Sequence, residues 1–158
     1  MTFVHDTRDK KGKHQNVDNY LISAGHKVVR SKMYVGDITL LNNQSVCVDL
    51  KKNLLEVCGN VGQQIERFSR ELNNAKQNDI KLVILTEEPG IESISDVRNW
   101  INPRLKESPL AISGERLAKI MYSLEKKYGC EFAFCNPYMT GQRVCEILGV
   151  NNDGKGKE

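Results

Sequence analysis

The stretch Val46-Cys47-Val48-Asp49-Leu50-Lys51 has the period-two alternation of a β-strand, yet one of its faces carries two charges. The two valines and the leucine point to one face, whereas Cys47, Asp49 and Lys51 point to the other. Just upstream, Val35-Gly36-Asp37 opens another short strand. Because the burial of unpaired charges is costly, Asp49 and Lys51 need a partner or a metal ion if the strand is buried.

These residue types favour metal-dependent cleavage of phosphodiesters, which uses an aspartate followed by Asp-x-Lys on a neighbouring strand. The carboxylates of Asp37 and Asp49 can hold a hard divalent cation, and the amine of Lys51 can lie beside the attacking water or the phosphate. Hairpin register decides whether Asp37 joins the other two: a three-residue loop places it opposite Asp49, a four-residue loop offsets it, and a bulge could also bring it there. The alternative is a surface ion pair on an edge strand.

The composition is that of an ordinary globular protein, with 158 residues, a net charge of +3, 27% charged residues and 39% hydrophobic residues. We expect one domain over residues 1–150 and a polar, disordered tail over 151–158. The small positive charge suits a polyanion partner without requiring one. No stretch approaches the roughly 18 apolar residues of a membrane span, and no signal-peptide pattern is present. We therefore expect an intracellular, cytoplasmic protein.

Cysteine usage agrees with a reducing compartment. The chain has five cysteines, an odd number, and none of them forms a C-x-x-C pair. Two of them, Cys47 and Cys135, lie in apolar, strand-like runs. We therefore expect five free thiols, most of them buried, and neither a disulfide nor a cysteine-based zinc site.

Hydrophobic periodicity predicts an alternation of strands and helices. In chain order it predicts a strand over 3–8, a helix over 17–24, a strand over 27–33, a hairpin of 37–41 and 46–51, a loop over 59–63 that leads a long helix to 77, and a strand over 81–85. It then predicts a short helix capped by Ser95, a helix capped by Ser113 and ended by Gly129, a strand over 131–135 and a final helix capped by Thr140. This order predicts an α/β domain with three α/β/α layers around a central mixed β-sheet.

Further candidate residues precede and follow this pair of strands. Asp6 and Arg8 share a face at the end of the first strand, where they can act as a third carboxylate and a phosphate-contacting guanidinium, or form an exposed salt-linked loop. Gln64, on the long helix, can orient a water or a phosphate. The loop that follows the first strand is basic and suits contact with nucleic acid through Lys10, Lys11 and Lys13.

Taken in order, these motifs resemble those of the XPF-type nuclease family, which belongs to the restriction-endonuclease-like, PD-(D/E)xK superfamily. The series is Asp6-x-Arg8, Val35-Gly36-Asp37, Val46-x-Val48-Asp49-Leu50-Lys51, and then Gly59 and Gln64 before an apolar strand. The family pattern reads D-x-R-E, V-G-D and E-R-K, and the match extends from about residue 3 to residue 88. The resemblance implies a Mg²⁺- or Mn²⁺-dependent DNA endonuclease with the superfamily fold.

The resemblance also implies a role for each matched residue. Asp37 and Asp49 would be metal ligands, Lys51 the catalytic lysine, Asp6 a supporting catalytic carboxylate and Arg8 a phosphate or structural contact. Domains of this family usually pair through their C-terminal helices, so a homodimer or a heterodimer is expected. The expected substrate is branched or flapped DNA, handled in recombination or repair by an enzyme of phage or mobile-element origin.

Several positions depart from the family pattern. Asp49 stands where the family has glutamate, Leu50 replaces an arginine, and Asp9 replaces another glutamate. The acidic residue expected at Leu55 is missing, with Glu56 one position later. The family's tandem helix-hairpin-helix module has no counterpart in these 158 residues. Two alternatives therefore stay open: a catalytically weak or inactive relative that binds DNA or a protein, and a Holliday-junction resolvase or site-specific nuclease of the same superfamily.

Overall fold

Strands and helices alternate through residues 1–151, which are the residues described by a computed structural model of the chain. The strands are β1 (Thr2–Asp6), β2 (Lys27–Ser31), β3 (Ile38–Leu40), β4 (Asn43–Lys51), β5 (Lys81–Glu87) and β6 (Glu131–Cys135). The helices are α1 (Gln15–Ser23), α2 (Leu54–Val61), α3 (Ile65–Gln77), α4 (Ile94–Val97), α5 (Gly114–Tyr128) and α6 (Thr140–Ile147), with 3₁₀ turns at Pro103–Lys106 and Pro137–Met139.

Two sequence-based expectations concern the ends of this description. The predicted disordered tail, apart from residue 151, lies outside the described residues. Within residues 1–151, no helix has both the length and the apolar character needed to cross a membrane.

The six strands form one mixed sheet in the order β2-β1-β3-β4-β5-β6. Strands β4, β5 and β6 run parallel to one another, β1 runs parallel to β2, and β3 is antiparallel to both of its neighbours. Because β4 has a partner on each side, the stretch that carries Asp49 and Lys51 is a central strand. The alternative of a surface ion pair on an edge strand is wrong.

The sheet separates two hydrophobic cores, and the alternation along β4 assigns its side chains to them. Val48 and Leu50 pack in the core that α1 and α6 cover, whereas Cys47 packs in the core that α2, α3 and α5 cover. Helices therefore lie on both faces of the sheet. The predicted three-layer α/β/α architecture around a mixed sheet is confirmed.

The hairpin of β3 and β4 is bulged rather than regular. Ile38 pairs with Val48 and Leu40 pairs with Asn43, so the register shifts between these two pairs. The Thr39 hydroxyl donates a 2.7 Å hydrogen bond to the Val46 carbonyl oxygen within the bulged region. In this register Asp37, which precedes Ile38, lies beside Asp49, which follows Val48. The bulge therefore brings the two candidate aspartates together.

The predicted loop over 59–63 is wrong at 59–61, because an additional helix, α2, occupies residues 54–61, and is confirmed at 62–63, which lie in the turn between α2 and α3. The side chain of Asn53 caps this helix by accepting a 2.9 Å hydrogen bond from the Glu56 amide. Helix α2 ends at Val61, because the φ of −100° and ψ of −104° at Gly62 are far from helical values, and α3 begins at Ile65. Gly59 favours a loop, but glycine inside a helix lowers the stability of the helix only moderately, and tertiary packing can compensate for this loss.

The predicted helix caps are confirmed in one case and wrong in two. The Ser113 hydroxyl accepts a hydrogen bond from the Arg116 amide at 3.2 Å, and α5 ends at Gly129 with a φ of 70°, as predicted. Ser95 lies inside α4, which begins after Ser93. Thr140 is the first residue of α6, and its hydroxyl donates to Glu87 Oε1 at 2.7 Å instead of capping the helix.

All five cysteines are free, as predicted. Four of them are buried and Cys58 is half-buried. Helices α5 and α6, which the family resemblance associates with dimer formation, direct apolar side chains such as Leu117, Met121 and Val144 into the two cores. These faces cover the sheet within one chain, and dimerisation stays a prediction.

Two glycine substitutions should have opposite effects on stability. A Cβ atom on Gly141, in α6, would lie 2.5 Å from the Cβ and Cγ atoms of Tyr20, in α1. A Cβ atom on Gly59, inside α2, would have no heavy atom within 4 Å. We expect Gly141→Ala to lower the free energy of unfolding by about 1–3 kcal/mol through overpacking, and Gly59→Ala to raise it by about 0.5–1 kcal/mol. Urea denaturation of both variants measures this, and a destabilising Gly59→Ala would contradict the helical assignment of α2.

Candidate active site

A polar cleft of about 600 Å³ opens at the end of β4, beside α2 and α3. Six acidic residues line it: Asp6, Asp9, Asp37, Asp49, Glu56 and Glu71. Five basic residues also line it: Arg8, Lys13, Lys51, Arg67 and Arg70. A cleft with this lining suits a charged ligand, because it combines carboxylates that can attract cations with guanidinium and ammonium groups that can attract anions.

Three of the predicted site residues converge in this cleft. The side chains of Asp37 and Asp49 are in hydrogen-bonding contact with each other. The Lys51 amine lies 3.2 Å from Asp49 Oδ2, and Asp37 Oδ2 accepts a 2.7 Å hydrogen bond from the Leu50 amide. The hydrogen bond from the Leu50 amide ties the Asp37 side chain to the backbone of β4. The two aspartates therefore keep their relative positions although they come from different parts of the hairpin.

Burial dominates the protonation of the two aspartates. Asp49 is only 4% exposed, and this burial, with the nearby Asp37 carboxyl, raises its pKa to about 8 despite the opposing charge of Lys51. Burial likewise raises the pKa of Asp37, although hydrogen bonds from Asp49 and the Leu50 amide oppose the rise. Two carboxyl groups in contact cannot both ionise cheaply without a cation, so the site has the electrostatics of a cation-binding pair.

Lys51 stays cationic beside the aspartates. Burial alone would lower its pKa, but the carboxylates of Asp49, Asp37 and Glu56 raise it on balance. Its side chain is 11% exposed, and its Nζ atom lies 5.9 Å from the centroid of the Phe68 ring. The amine is thus held in one place by packing as well as by charge.

The donor set fits a hard divalent cation such as Mg²⁺ or Mn²⁺. Asp49 Oδ2 is shielded from solvent and makes no hydrogen bond within residues 1–151, and its ionic contact is with the Lys51 amine 3.2 Å away. Within residues 1–151, no group of three or more histidine, cysteine or acidic side chains has metal-binding geometry. Asp37 and Asp49 would therefore supply two carboxylates, and water or phosphate the other ligands, which is the way Mg²⁺ is commonly bound.

Asp6 and Arg8 form a closed unit in the wall of the cleft. Asp6 Oδ1 accepts from the amides of Arg8 and Met33, at 3.1 and 3.3 Å, and Asp6 Oδ2 accepts from Arg8 Nε at 2.7 Å. Burial would raise the pKa of Asp6, but these bonds lower it below its usual value. Both carboxylate oxygens of Asp6 accept these hydrogen bonds, so Asp6 holds Arg8 and the backbone at Met33 in place in the wall of the cleft. A catalytic role for Asp6 stays a prediction. Arg8 remains 54% exposed and can still contact a phosphate.

The predicted nucleic-acid contacts divide into two groups. Lys13 and Gln64 line the cleft, whereas Lys10 and Lys11 are exposed in the loop after β1 and do not line it. Lys13 Nζ donates to Glu56 Oε1 at 2.9 Å. Glu56 also accepts from the Lys52 amide, and although burial opposes the change, these contacts lower its pKa below the usual value. The family pattern predicts an acidic residue at position 55, which is Leu55 here. The carboxylate of Glu56, one position later, lines the cleft instead.

Two other departures from the family pattern have a structural explanation. Leu50 is 2% exposed and packs in the core on the α1 and α6 side, so its side chain lies on the opposite face of the sheet from Asp49. Leu50 lines the cleft and its amide donates to Asp37, whereas its side chain packs in the opposite core. The expectation that the missing arginine removes a cation from the site stays a prediction. Asp9 is bound by His5, whose two ring nitrogens lie 2.8 Å from Asp9 and 2.7 Å from Asp18.

Helix α3 contributes cleft-lining side chains that sequence analysis missed. Arg67, Arg70 and Glu71 line the cleft with the predicted Gln64. Glu71 Oε1 accepts a 2.8 Å hydrogen bond from the Gly36 amide, and burial, helped by the Asp49 charge, raises its pKa. The polar residues at 64, 67, 71 and 74 follow a helical spacing, which was the available signal. It was missed because a polar stripe on an amphipathic helix usually faces only solvent.

Gly36, between Val35 and Asp37, is required by its surroundings. It has a φ of 73°, and a Cβ atom there would lie 3.1 Å from the Cys47 Cβ atom and 3.2 Å from the Val48 carbonyl oxygen. The backbone that leads into Asp37 therefore passes directly against β4, which only glycine allows.

The raised pKa of Asp49 predicts a pH-dependent stability in the absence of divalent cations. Between about pH 4 and pH 8 the unfolded chain is ionised at Asp49 while the folded chain stays protonated, so the free energy of unfolding falls as pH rises, by up to about 1.4 kcal/mol per pH unit from this group. Asn cannot ionise, so Asp49→Asn should be more stable than the wild type, with a difference that grows from pH 5 to pH 8. Urea denaturation in EDTA at both pH values measures it, and a difference independent of pH would contradict the assignment.

Comparison with known proteins gives a match in structure but not in sequence. No family model and no curated protein matches the chain. XPF from Aeropyrum pernix has a similar structure, with a TM-score of 0.65 and 17% identity over 94% of this chain and 63% of that chain. XPF from Aeropyrum pernix in complex with DNA is similar with a TM-score of 0.64 and 18% identity, again over 94% and 63%.

The chain thus spans less than two thirds of the length of these XPF structures. At this level of identity the likeness establishes the fold. The XPF-type nuclease fold expected from the sequence is therefore confirmed.

Proposed function

We propose that this protein is a Mg²⁺- or Mn²⁺-dependent DNA endonuclease. One observation carries the proposal: Asp49, which is buried, contacts the half-buried Asp37 in a cleft that arginines also line, and a lysine lies 3.2 Å from Asp49. A carboxyl pair removed from solvent in this way destabilises the folded chain unless a cation binds it, so its presence in the lining of a polar cleft favours a functional reason for it. The fold shared with XPF from Aeropyrum pernix supports the same class.

In this proposal Asp37 and Asp49 hold the divalent cation, which neutralises charge on the phosphate and makes a water more acidic. The Lys51 amine stabilises negative charge that develops on the phosphate, or orients the attacking water. Packing against Phe68 and attraction to Asp49 hold this amine in position before the substrate arrives. A preorganised charge is more effective than one that must reorient during the reaction.

DNA is the proposed substrate because the cleft combines the cation pair with guanidinium groups. Arg8, Arg67 and Arg70 line the cleft, and guanidinium groups are suited to contact the phosphates of a DNA backbone. The fold is also that of a protein whose structure is known in complex with DNA. Action on branched or flapped DNA, in recombination or repair, is part of the proposal and rests on the family resemblance.

The alternative of an inactive DNA- or protein-binding relative is less favoured than the sequence suggested. Its main motivation was the missing arginine at Leu50, and that side chain lies in the opposite core. The three residues that the nuclease proposal requires, Asp37, Asp49 and Lys51, are all present and line the same cleft. A resolvase of the same superfamily would use the same set, so only the preferred DNA structure separates it from the first proposal.

The proposal predicts that cleavage depends on Asp49 and Lys51. With Mg²⁺ or Mn²⁺, Asp49→Asn and Lys51→Ala should each lower the cleavage rate of labelled flap, fork and four-way-junction DNA by at least about 100-fold, a loss typical of removing a charge that acts in the transition state. Lys52→Ala is the matched control, because Lys52 is the exposed neighbour and should leave the rate unchanged.

Other outcomes of this assay have distinct meanings. Equal activity in wild type and Asp49→Asn would place the active site elsewhere. No activity in any form, with salt-sensitive DNA binding intact, would favour the inactive relative. Cleavage confined to the four-way junction would favour the resolvase.

Metal binding can be tested without activity. Mn²⁺ should bind the wild type more tightly as pH rises towards about 8, because protons compete with Mn²⁺ for the Asp49 carboxylate. Asp49→Asn should weaken binding by at least about tenfold, whereas Lys51→Ala should keep or strengthen it, since a neighbouring cation is removed. Calorimetric titration at pH 6.5 and 8 measures this, and Mn²⁺ affinity unaffected by Asp49→Asn would rule out this site.

A further inference from the structure

Tyr34 is an exposed aromatic residue inside the cleft. Its side chain is 61% exposed although the residue lines the cleft, and its neighbours Met33 and Val35 are 7% and 1% exposed. The buried neighbours face the core, so the tyrosine is directed outward. Within residues 1–151, Tyr34 has no hydrogen bond, ion pair or ring contact. Packing therefore does not explain a tyrosine at this position.

The segment that carries Tyr34 is held on both sides. On one side, the Met33 amide donates to Asp6 Oδ1 at 3.3 Å, and the Met33 carbonyl oxygen accepts from Arg8 Nη2 at 2.7 Å. On the other side, the Gly36 amide donates to Glu71 at 2.8 Å. These bonds fix the backbone on both sides of Tyr34, so a ligand that contacts the ring has to order only the two χ angles of the side chain.

Cationic groups line the same cleft as this ring. Arg8, Arg67 and Arg70 belong to the same lining as Tyr34, and Arg67 and Arg70 are themselves exposed. A positively charged groove combined with an exposed aromatic ring is the arrangement by which proteins bind single-stranded nucleic acid, with bases stacked on the ring and phosphates bound by the cations. A base within a duplex is already stacked on its neighbours and does not offer its face to the ring.

We propose that Tyr34 is a stacking platform for an unpaired base of the DNA, with Arg67 and Arg70 contacting the adjacent phosphates. This inference rests on the proposed function and makes it more specific: the cleft takes DNA that contains an unpaired nucleotide beside the cleavage site. The ring provides the preference for unpaired DNA, whereas the arginines provide affinity that does not depend on base pairing.

The test measures binding in EDTA, where no cleavage occurs. A short single strand with one 2-aminopurine reports stacking by quenching, and anisotropy of an end-labelled strand gives the dissociation constant. Tyr34→Ala should weaken single-strand binding about 5- to 150-fold and remove the quenching, and Tyr34→Phe should retain both. Tyr138→Ala is the matched control, because Tyr138 is 93% exposed and does not line the cleft.

Two comparisons separate stacking from charge. Tyr34→Ala should leave blunt-duplex affinity and the salt dependence of binding unchanged, since no charge is lost. Arg67→Ala should weaken binding to single strands and duplexes alike and lower the magnitude of the slope of log affinity against log salt by about one. Unchanged single-strand affinity in Tyr34→Ala, equal losses for single strand and duplex, or a Tyr34→Phe variant as weak as Tyr34→Ala would each overturn the stacking role.

The inference and the proposed function can fail separately. If the wild type cleaves no DNA with any divalent cation but the Tyr34 variants behave as expected, the stacking platform stands and the nuclease proposal falls. If Asp49→Asn abolishes cleavage while Tyr34→Ala binds single strands as the wild type does, the nuclease proposal stands and the platform is rejected.

Discussion

The contact between the carboxyl groups of Asp37 and Asp49 is the constraint on which the arrangement of the cleft depends. Asp49 is only 4% exposed and Asp37 is half-buried, and the two like groups are held together with the Lys51 amine beside them. Left alone, the pair opposes folding. Its neighbours are arranged so that it forms: Gly36 lets the backbone approach β4, the Leu50 amide fixes Asp37, and the hydrophobic cores hold the strands. Stability is given up locally, and this is common where binding or chemistry occurs.

Local patterns were enough to predict most of the sheet and the common face of Asp49 and Lys51. The alternation in β4 identified which side chains share the face of Asp49, because a strand has a fixed period of two. Asp37 was harder, since its position depends on a bulge whose geometry comes from tertiary contacts such as the Thr39 bond to Val46. Helix α2 was missed because Gly59 and Gly62 are close in sequence, and only the second one breaks the helix.

The cleft-facing side of α3 shows a different limit of sequence analysis. Gln64 was selected as a polar side chain at the start of the long helix, while Arg67, Arg70 and Glu71 look like any solvated helix face until the neighbouring strand end is in view. The same holds for Leu50, which a linear motif places among charged residues, although its side chain belongs to another layer. A motif written as consecutive letters merges the two faces of a strand, and only the fold separates them.

The bulge between β3 and β4 also affects how this chain can change in length. In a regular hairpin, one added residue at the turn would shift the register and send every side chain of one strand to the other face. Here the pairing of Ile38 with Val48 is set below the bulge, and the residues at 41–45 beyond it are exposed. The tip can therefore gain or lose residues while the aspartates keep their contact. This makes the hairpin tip the natural place in the molecule for inserting a foreign peptide or a reporter.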